Sequence, residues 1–274
     1  MRVNNGVLTL GSVGGIAIVD GAQDSSILVV EGVESAVNAA LDTLVYTPAA
    51  DYSGSDTLSV VSSIDSALLG RYDFSAGAAL NTSIAGFYDG ILLGGASTGT
   101  DITRAEAVLN LNGIDGTVQI ASQFGAPASL SATAWVDSNN GDATVLSVGG
   151  SLSIRIDDTD TSGNTSASFW DGSAYQAIDT SQILAGTGWR HVAATYDGAS
   201  KELAVYIDGE IAGREVFSNA LVFASSNTYL GSFDGSARFL DGSIDDARVY
   251  DRVLSADEIA ALALDSAEAS GLLR

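Results

Sequence analysis

Residues 187–216 read TGWRHVAATYDGASKELAVYIDGEIAGREV, and residues 227–254 read NTYLGSFDGSARFLDGSIDDARVYDRVL. In the first stretch His191, Ala193 and Thr195 alternate with Val192, Ala194 and Tyr196, the period-2 pattern of a strand with one apolar face. Asp197-Gly198-Ala199-Ser200 has turn composition. Leu203, Val205 and Ile207 then alternate with Glu202, Ala204, Tyr206 and Asp208, up to a second turn at Asp208-Gly209. The expectation is an antiparallel meander that buries one face. In the second stretch Ile244–Tyr250 reads as another strand, and a short helix follows over residues 256–264. Ser255 stands at its N-cap with Glu258 three residues on, a capping-box pattern.

Three blocks in these stretches carry a resemblance. Residues 189–198 fit W-x-H-V-A-x-T-Y-D-G, residues 203–209 fit L-x-V-Y-x-D-G, and residues 242–259 fit G-x-I-D-D-x-R-x-Y-x-R-x-L-S-x-x-E-I. In this order they resemble the laminin-G-like, concanavalin A-like family. The resemblance covers about 70 residues closely and extends more loosely back to Leu68. It implies an all-β, two-sheet antiparallel β-sandwich of the jelly-roll type, mostly used for binding, with function set by the site and not by the fold.

The rest of the chain fits that expectation. Short strand-like runs separated by turn signals continue back to Leu68, and 31 glycines against two prolines suit many tight turns. Residues 1–65 differ in character and predict a smaller N-terminal β domain, joined through residues 62–67 to a domain over 66–265, with a tail at 266–274. The run ALDTLVYTPAADYSGSDTLSV (residues 40–60) resembles the end of the cadherin-like or Ig-like repeats of bacterial surface adhesins. That resemblance implies adhesion and an extracellular or cell-surface location.

Charge narrows the partners. The net charge is −23, with 34 acids against 11 bases. Phosphate backbones would be repelled, so no nucleic acid is expected as a partner. No apolar run reaches the ~20 residues of a membrane helix, so no membrane insertion is expected. With no cysteine there is neither a disulfide nor a thiolate metal site.

Catalytic chemistry lacks its usual groups. His191 is the only histidine and sits in a strand, without a visible nucleophile beside it. The paired carboxylates on one strand that glycoside hydrolysis needs are missing; Glu202, Asp208 and Glu210 are separated by a turn. The chain reads as a non-enzyme.

Two acidic constellations suggest calcium. Asp158, Asp160 and Ser162, followed by Gly163, match the first half of a D-x-D-x-S-G calcium loop, but the closing acid would fall at Phe169; the alternative is a solvated hairpin tip. The family resemblance implies a second site, in which Asp245 or Asp246 of the last strand joins the loop containing Asn81 and Asp89. There Thr82 stands where an acid is expected, and the alternative is that Asp245 or Asp246 makes a buried hydrogen bond or pairs with Arg248 or Arg252. Trp170, Tyr175 and Asp234 are the candidate ligand contacts, aromatics beside carboxylates at loops. Trp135 and Trp189 are expected in the core. The function that follows is a calcium-stabilised adhesion module for a glycan or a surface protein. A carbohydrate-binding module of a polysaccharide-degrading enzyme and a ligand-free spacer are the alternatives.

Overall fold

The computed structural model describes residues 1, 3–26, 28–32, 34–58, 67–83, 88–160 and 162–264. The chain divides into two units, Met1–Asp65 and Ser66–Arg274. The expected tail at 266–274, and most of the expected strand over 57–62 and of the connection over 62–67, lie outside the described residues.

The first unit holds β1 (Gly6–Leu10), β2 (Ile16–Gly21), β3 (Leu28–Gly32), α1 (Glu34–Leu41) and β4 (Leu44–Pro48). β1 pairs antiparallel with β4, and β2 with β3. Val3, Leu8, Leu10, Leu28 and Ala40 form its core. The Asp56 carboxylate accepts the Asn4 and Asn5 N–H groups and the Tyr46 hydroxyl, which fixes the chain after β4 against the start of the unit.

The second unit is a sandwich of two antiparallel sheets. Its strands are β5 (Leu68–Tyr72), β6 (Gly90–Leu93), β7 (Ser97–Asp101), β8 (Glu106–Asn112), β9 (Thr117–Ile120), β10 (Leu130–Ser138), β11 (Ala143–Val148), β12 (Leu152–Ile156), β13 (Ser166–Trp170), β14 (Tyr175–Asp179), β15 (Arg190–Asp197), β16 (Glu202–Ile207), β17 (Glu210–Val216), β18 (Thr228–Leu230) and β19 (Asp241–Tyr250). One sheet runs β17-β16-β15-β10-β19-β8-β7, with β5 also paired to β19. The other runs β14-β13-β12-β11-β18-β9-β6. Pairing of β5 with β19 brings the first and the last strand of the unit together.

The inward faces follow the period of two. Ala132, Ala134 and Val136 of β10 and Val192, Ala194 and Tyr196 of β15 meet Ile154, Ile156 and Phe169 of the opposite sheet. The Phe169 and Tyr196 rings lie 4.9 Å apart in that core. The β16–β17 turn is a two-residue hairpin, Ile207 pairing with Glu210, and Asp208 and Gly209 both have positive φ (52° and 83°). That conformation suits the Asp-Gly pair and matches the twist of the flanking strands.

The meander is buried on both faces, not one. His191, Ala193 and Thr195 on its outward face are all covered. At one end the cover is α2 (Ala256–Leu264), whose Ile259 and Leu262, with Leu254, pack on Ala193, Ala204, Tyr206 and Tyr250. The capping box forms: Ser255 N–H donates to Glu258 Oε2 at 2.7 Å, and Glu258 N–H to Ser255 Oγ at 3.3 Å.

Trp135 and Trp189 are not core residues. Trp135 pairs in register with His191 and Asp245 on the outward face, and Trp189 precedes β15. Both rings are half-buried against the Arg104 guanidinium, whose carbon lies 4.7 Å and 4.9 Å from their centroids. A cation over an indole face favours this arrangement, and the indoles therefore lie outside the sandwich.

Candidate functional site

The outward face of the seven-stranded sheet has a floor of small hydroxyls. Ser147, Ser153, Ser168 and Ala177 lie side by side on β11, β12, β13 and β14, and Thr144, Arg155, Ser166 and Asp179 form the next row. The alternation that sends Leu152, Ile154 and Ile156 into the core sends Ser153 and Arg155 outward. Small side chains keep this floor low, and Ser153 Oγ and Ser168 Oγ are hydrogen-bonded at 2.8 Å.

A groove of about 300 Å³ opens over this floor, lined by Arg155, Asp158, Asp160, Ser168, Tyr175, Ala177, Phe233 and Arg238. Its two ends differ chemically. At one end Tyr175 meets Phe233 edge to face, with centroids 5.4 Å apart, and Trp170 lies 4.9 Å from Tyr175 on β13. The Tyr175 hydroxyl donates to the Gly150 carbonyl at 2.8 Å, which sets the ring's orientation. Burial, and then the charge of Asp234, push this phenol's pKa up.

The other end is an ion-pair lattice. Arg155 reaches Asp158 at 2.5 Å, Asp142 at 3.1 Å and Asp160 at 3.5 Å. Arg238 pairs with both Asp142 and Asp160. Asp158 is fully buried and also accepts the Asp160 N–H and the Ser166 hydroxyl. Three buried polar atoms of the floor strands have no hydrogen-bond partner: Arg155 Nε, Thr144 Oγ1 and Ser147 Oγ. An unsatisfied buried polar group costs about 1–3 kcal/mol, and of these three residues Arg155 lines the groove, whereas Thr144 and Ser147 are fully buried.

The structure therefore brings together residues that the sequence placed in two separate constellations. Tyr175 lies at the aromatic end, backed by Trp170 and close to Asp234; Asp158 and Asp160 lie at the ionic end. Asp234 holds its own loop by accepting the Ser236 N–H and hydroxyl. Ser162 does not join the two aspartates, because its hydroxyl accepts from Asn164 Nδ2 at 2.8 Å. Arg155, Arg238, Phe233, Ser168 and Ala177 were not singled out by the sequence. The available signal was an arginine in mid-strand, flanked by isoleucines in LSIRI, opposite the serine-alternating SASFW.

The second constellation lies on the other sheet. A β-bulge opposite Ala134 of β10 places two residues of β19 against one, and Asp246 takes φ 45° there. Asp245 accepts from Arg104 Nε at 2.8 Å, and Asp246 from Arg71 Nε at 2.7 Å and Arg248 Nη2 at 2.5 Å. Burial pushes the Asp245 carboxyl up to about 7 against the lowering effect of Arg104. For Asp246 the hydrogen bond and charge of Arg248, then Arg71, outweigh burial and lower the pKa. Asn81 Oδ1 accepts the Arg71 and Ser83 N–H groups, and Asp89 accepts the Asn81 N–H.

In this arrangement the donor set does not fit calcium. Guanidinium groups stand against both aspartates of β19. Among the described residues, no group of three or more His, Cys, Asp or Glu side chains is placed to hold a metal ion. The pairing of Asp246 with Arg248 is the alternative that the sequence left open.

With the sandwich and its groove defined, the chain belongs to the concanavalin A-like lectin/glucanases superfamily, whose family model matches residues 112–260, more than half of its length. No curated protein sequence matches it. Several solved structures share the fold. Domain 4 of AbnA, a GH43 extracellular arabinanase from Geobacillus stearothermophilus, solved with arabinotriose, is 18% identical with a TM-score of 0.61, covering 72% of this chain and 98% of that one. A structure of botulinum neurotoxin type C, whose cell entry depends on two ganglioside molecules, is 16% identical with a TM-score of 0.55, covering 73% of this chain and 51% of that one. The binding domain of botulinum neurotoxin DC, in complex with rat synaptotagmin II, is 16% identical with a TM-score of 0.56, covering 74% and 52%. This chain thus spans about half the length of the toxin structures, and at these identities the likeness is one of fold.

Proposed function

We propose that this protein is a non-catalytic, glycan-binding module of an extracellular surface chain, and that the ligand lies in the groove over β12, β13 and β14. One observation carries the reading: a groove lined at one end by the aromatic Tyr175 and Phe233 and at the other by Arg155, Asp160 and Arg238, with Ser168 and Ala177 between them. Aromatic faces stack on sugar rings, and fixed arginine–aspartate pairs present donors and acceptors that sugar hydroxyls can share. The arabinotriose bound to the arabinanase domain supports a saccharide as the class of ligand.

The surface-chain setting rests on the adhesin-like run over residues 40–60 and on the extracellular enzyme that carries the arabinanase domain. A non-enzymatic role is supported by the groove's lining, in which Asp158 and Asp160 are each committed to arginine. Calcium does not enter this reading, because Asp158, Asp160, Asp245 and Asp246 each stand against a guanidinium.

A glycan array followed by isothermal titration tests the proposal. Tyr175→Ala should weaken binding of any hit by about 10-fold or more, roughly 1.4 kcal/mol. Unchanged affinity in that variant would move the ligand elsewhere.

A further inference from the structure

Resting on that reading, we propose that the groove selects neutral saccharides and discriminates against acidic ones. The two kinds of fold neighbour leave this open: arabinotriose is uncharged, whereas gangliosides carry the carboxylates of sialic acid. The charges around this groove decide between them.

Among the described residues two cations line it, Arg155 and Arg238, and both are paired with aspartates. Arg155 contacts Asp142, Asp158 and Asp160, and Arg238 contacts Asp142 and Asp160. Asp234 adds a further carboxylate beside Phe233 and acts on the Tyr175 phenol. Four carboxylates against two guanidiniums leave the site with negative charge, within a chain of net charge −23. A carboxylate-bearing sugar would meet these carboxylates, and could take a paired guanidinium N–H only by displacing an aspartate from it. The cost of leaving a buried ion unpaired is large, and Asp158 is fully buried.

An unsatisfied donor points the same way. Arg155 is nine-tenths buried and lines the groove, and its Nε–H has no hydrogen-bond partner. An N–H donor complements a sugar hydroxyl or ring oxygen without any charge on the ligand. The groove extends from the Ser168–Ala177 pair past Arg155, two residues along β12 from the Ser168 partner Ser153 and about 7 Å away at ~3.3 Å per strand residue, to Asp158 and Asp160 beyond the strand end. That length admits a short oligosaccharide, with one ring against Tyr175 and Phe233 and hydroxyls toward Arg155 and Arg238.

The test uses matched pairs of short oligosaccharides that differ only in oxidation at C6: glucose with glucuronate, galactose with galacturonate, mannose with mannuronate series. Each is titrated into the full chain at pH 7 at low and at high salt. The neutral member of a binding pair should bind at least 10-fold more tightly than its acidic counterpart at low salt, and the gap should narrow at high salt. Asp234→Asn, which removes a carboxylate outside the arginine lattice, should narrow the gap at low salt. Equal or tighter binding of the acidic member overturns this inference and leaves the glycan reading standing. If no member of any pair binds, both fall together.

Discussion

Tyr175 of β14 meets Phe233, in the segment between β18 and β19, edge to face at 5.4 Å, while its hydroxyl is fixed on the Gly150 carbonyl at 2.8 Å. The ring is oriented from two sides before any ligand arrives, and such preorganisation lowers the entropic cost of binding. Tyr175→Phe keeps the ring and loses one hydrogen bond with a net value of about 0.5–1.5 kcal/mol. Its affinity should stay within about 5-fold of the parent, because at 1.4 kcal/mol per tenfold only part of that energy acts on binding. Titration of both variants against the same glycan separates ring loss in Tyr175→Ala from loss of orientation.

Arg155 and Arg238 share partners but differ in burial. Removing Arg155 leaves Asp158, with 1% of its side chain exposed, without its cation. Arg155→Met should cost about 3–5 kcal/mol, a fall in Tm of roughly 6–20 °C at ~2–4 °C per kcal/mol. Arg238 is partly exposed and its partners Asp142 and Asp160 more so, hence Arg238→Met should cost about 1 kcal/mol or less. Thermal melts of the two variants check the order; a larger loss for Arg238→Met would contradict the burial argument.

His191 links stability to pH. Burial holds its pKa down to about 4, against an ordinary value of 6.5; Asp246 and Asp208 oppose the shift, while Arg248 and Arg104 add to it. Between pH 6.5 and 4 the unfolded chain therefore binds more protons here than the folded chain. The contribution of neutral His191 is complete above 6.5 and is lost as pH falls toward 4, by about 3 kcal/mol at ~1.36 kcal/mol per pKa unit. Asp245 has the opposite sign: with its carboxyl raised from 3.8 to about 7, the folded chain holds more protons over that window, which favours folding at the acid end. The parent curve is then a partial cancellation. His191→Phe preserves a ring beside Trp135, at 5.5 Å in the parent, and removes one of the two opposing groups. Relative to the parent it should gain stability as pH falls from 6.5 to 4, read by urea unfolding at several pH values. A pH-independent difference would exclude the buried neutral imidazole.

The arginine partners of Asp245 and Asp246 also predict the response to calcium. Melting in calcium and in EDTA should coincide once ionic strength is matched with sodium chloride. A calcium-specific rise in Tm that Asp246→Ala removes would show that the guanidiniums yield to the ion.

The fold was legible because it is written in local periodicity. The alternation in 191–196 and 203–207, the Asp208-Gly209 turn and the Ser255/Glu258 box all specify structure within a few residues. The groove was only half legible. Tyr175 and Trp170 stand beside each other through a hairpin, so short-range reading finds them. Arg155 and Arg238 converge on Asp142 and Asp160 through sheet register and a long loop, which no local pattern encodes. Trp135 and Trp189 misled for a related reason. Large aromatics next to strand residues suggest core, and only the arrival of Arg104 from the β7–β8 turn explains how they are covered on the outer face.

The most direct test of the groove as the binding site is amide chemical-shift mapping of the labelled chain with a neutral oligosaccharide identified on the array. Saturable shifts should centre on Arg155, Ser168, Ala177, Tyr175, Phe233 and Arg238. Shifts confined to the opposite sheet, around Arg104, Trp135 and Trp189, would contradict the account.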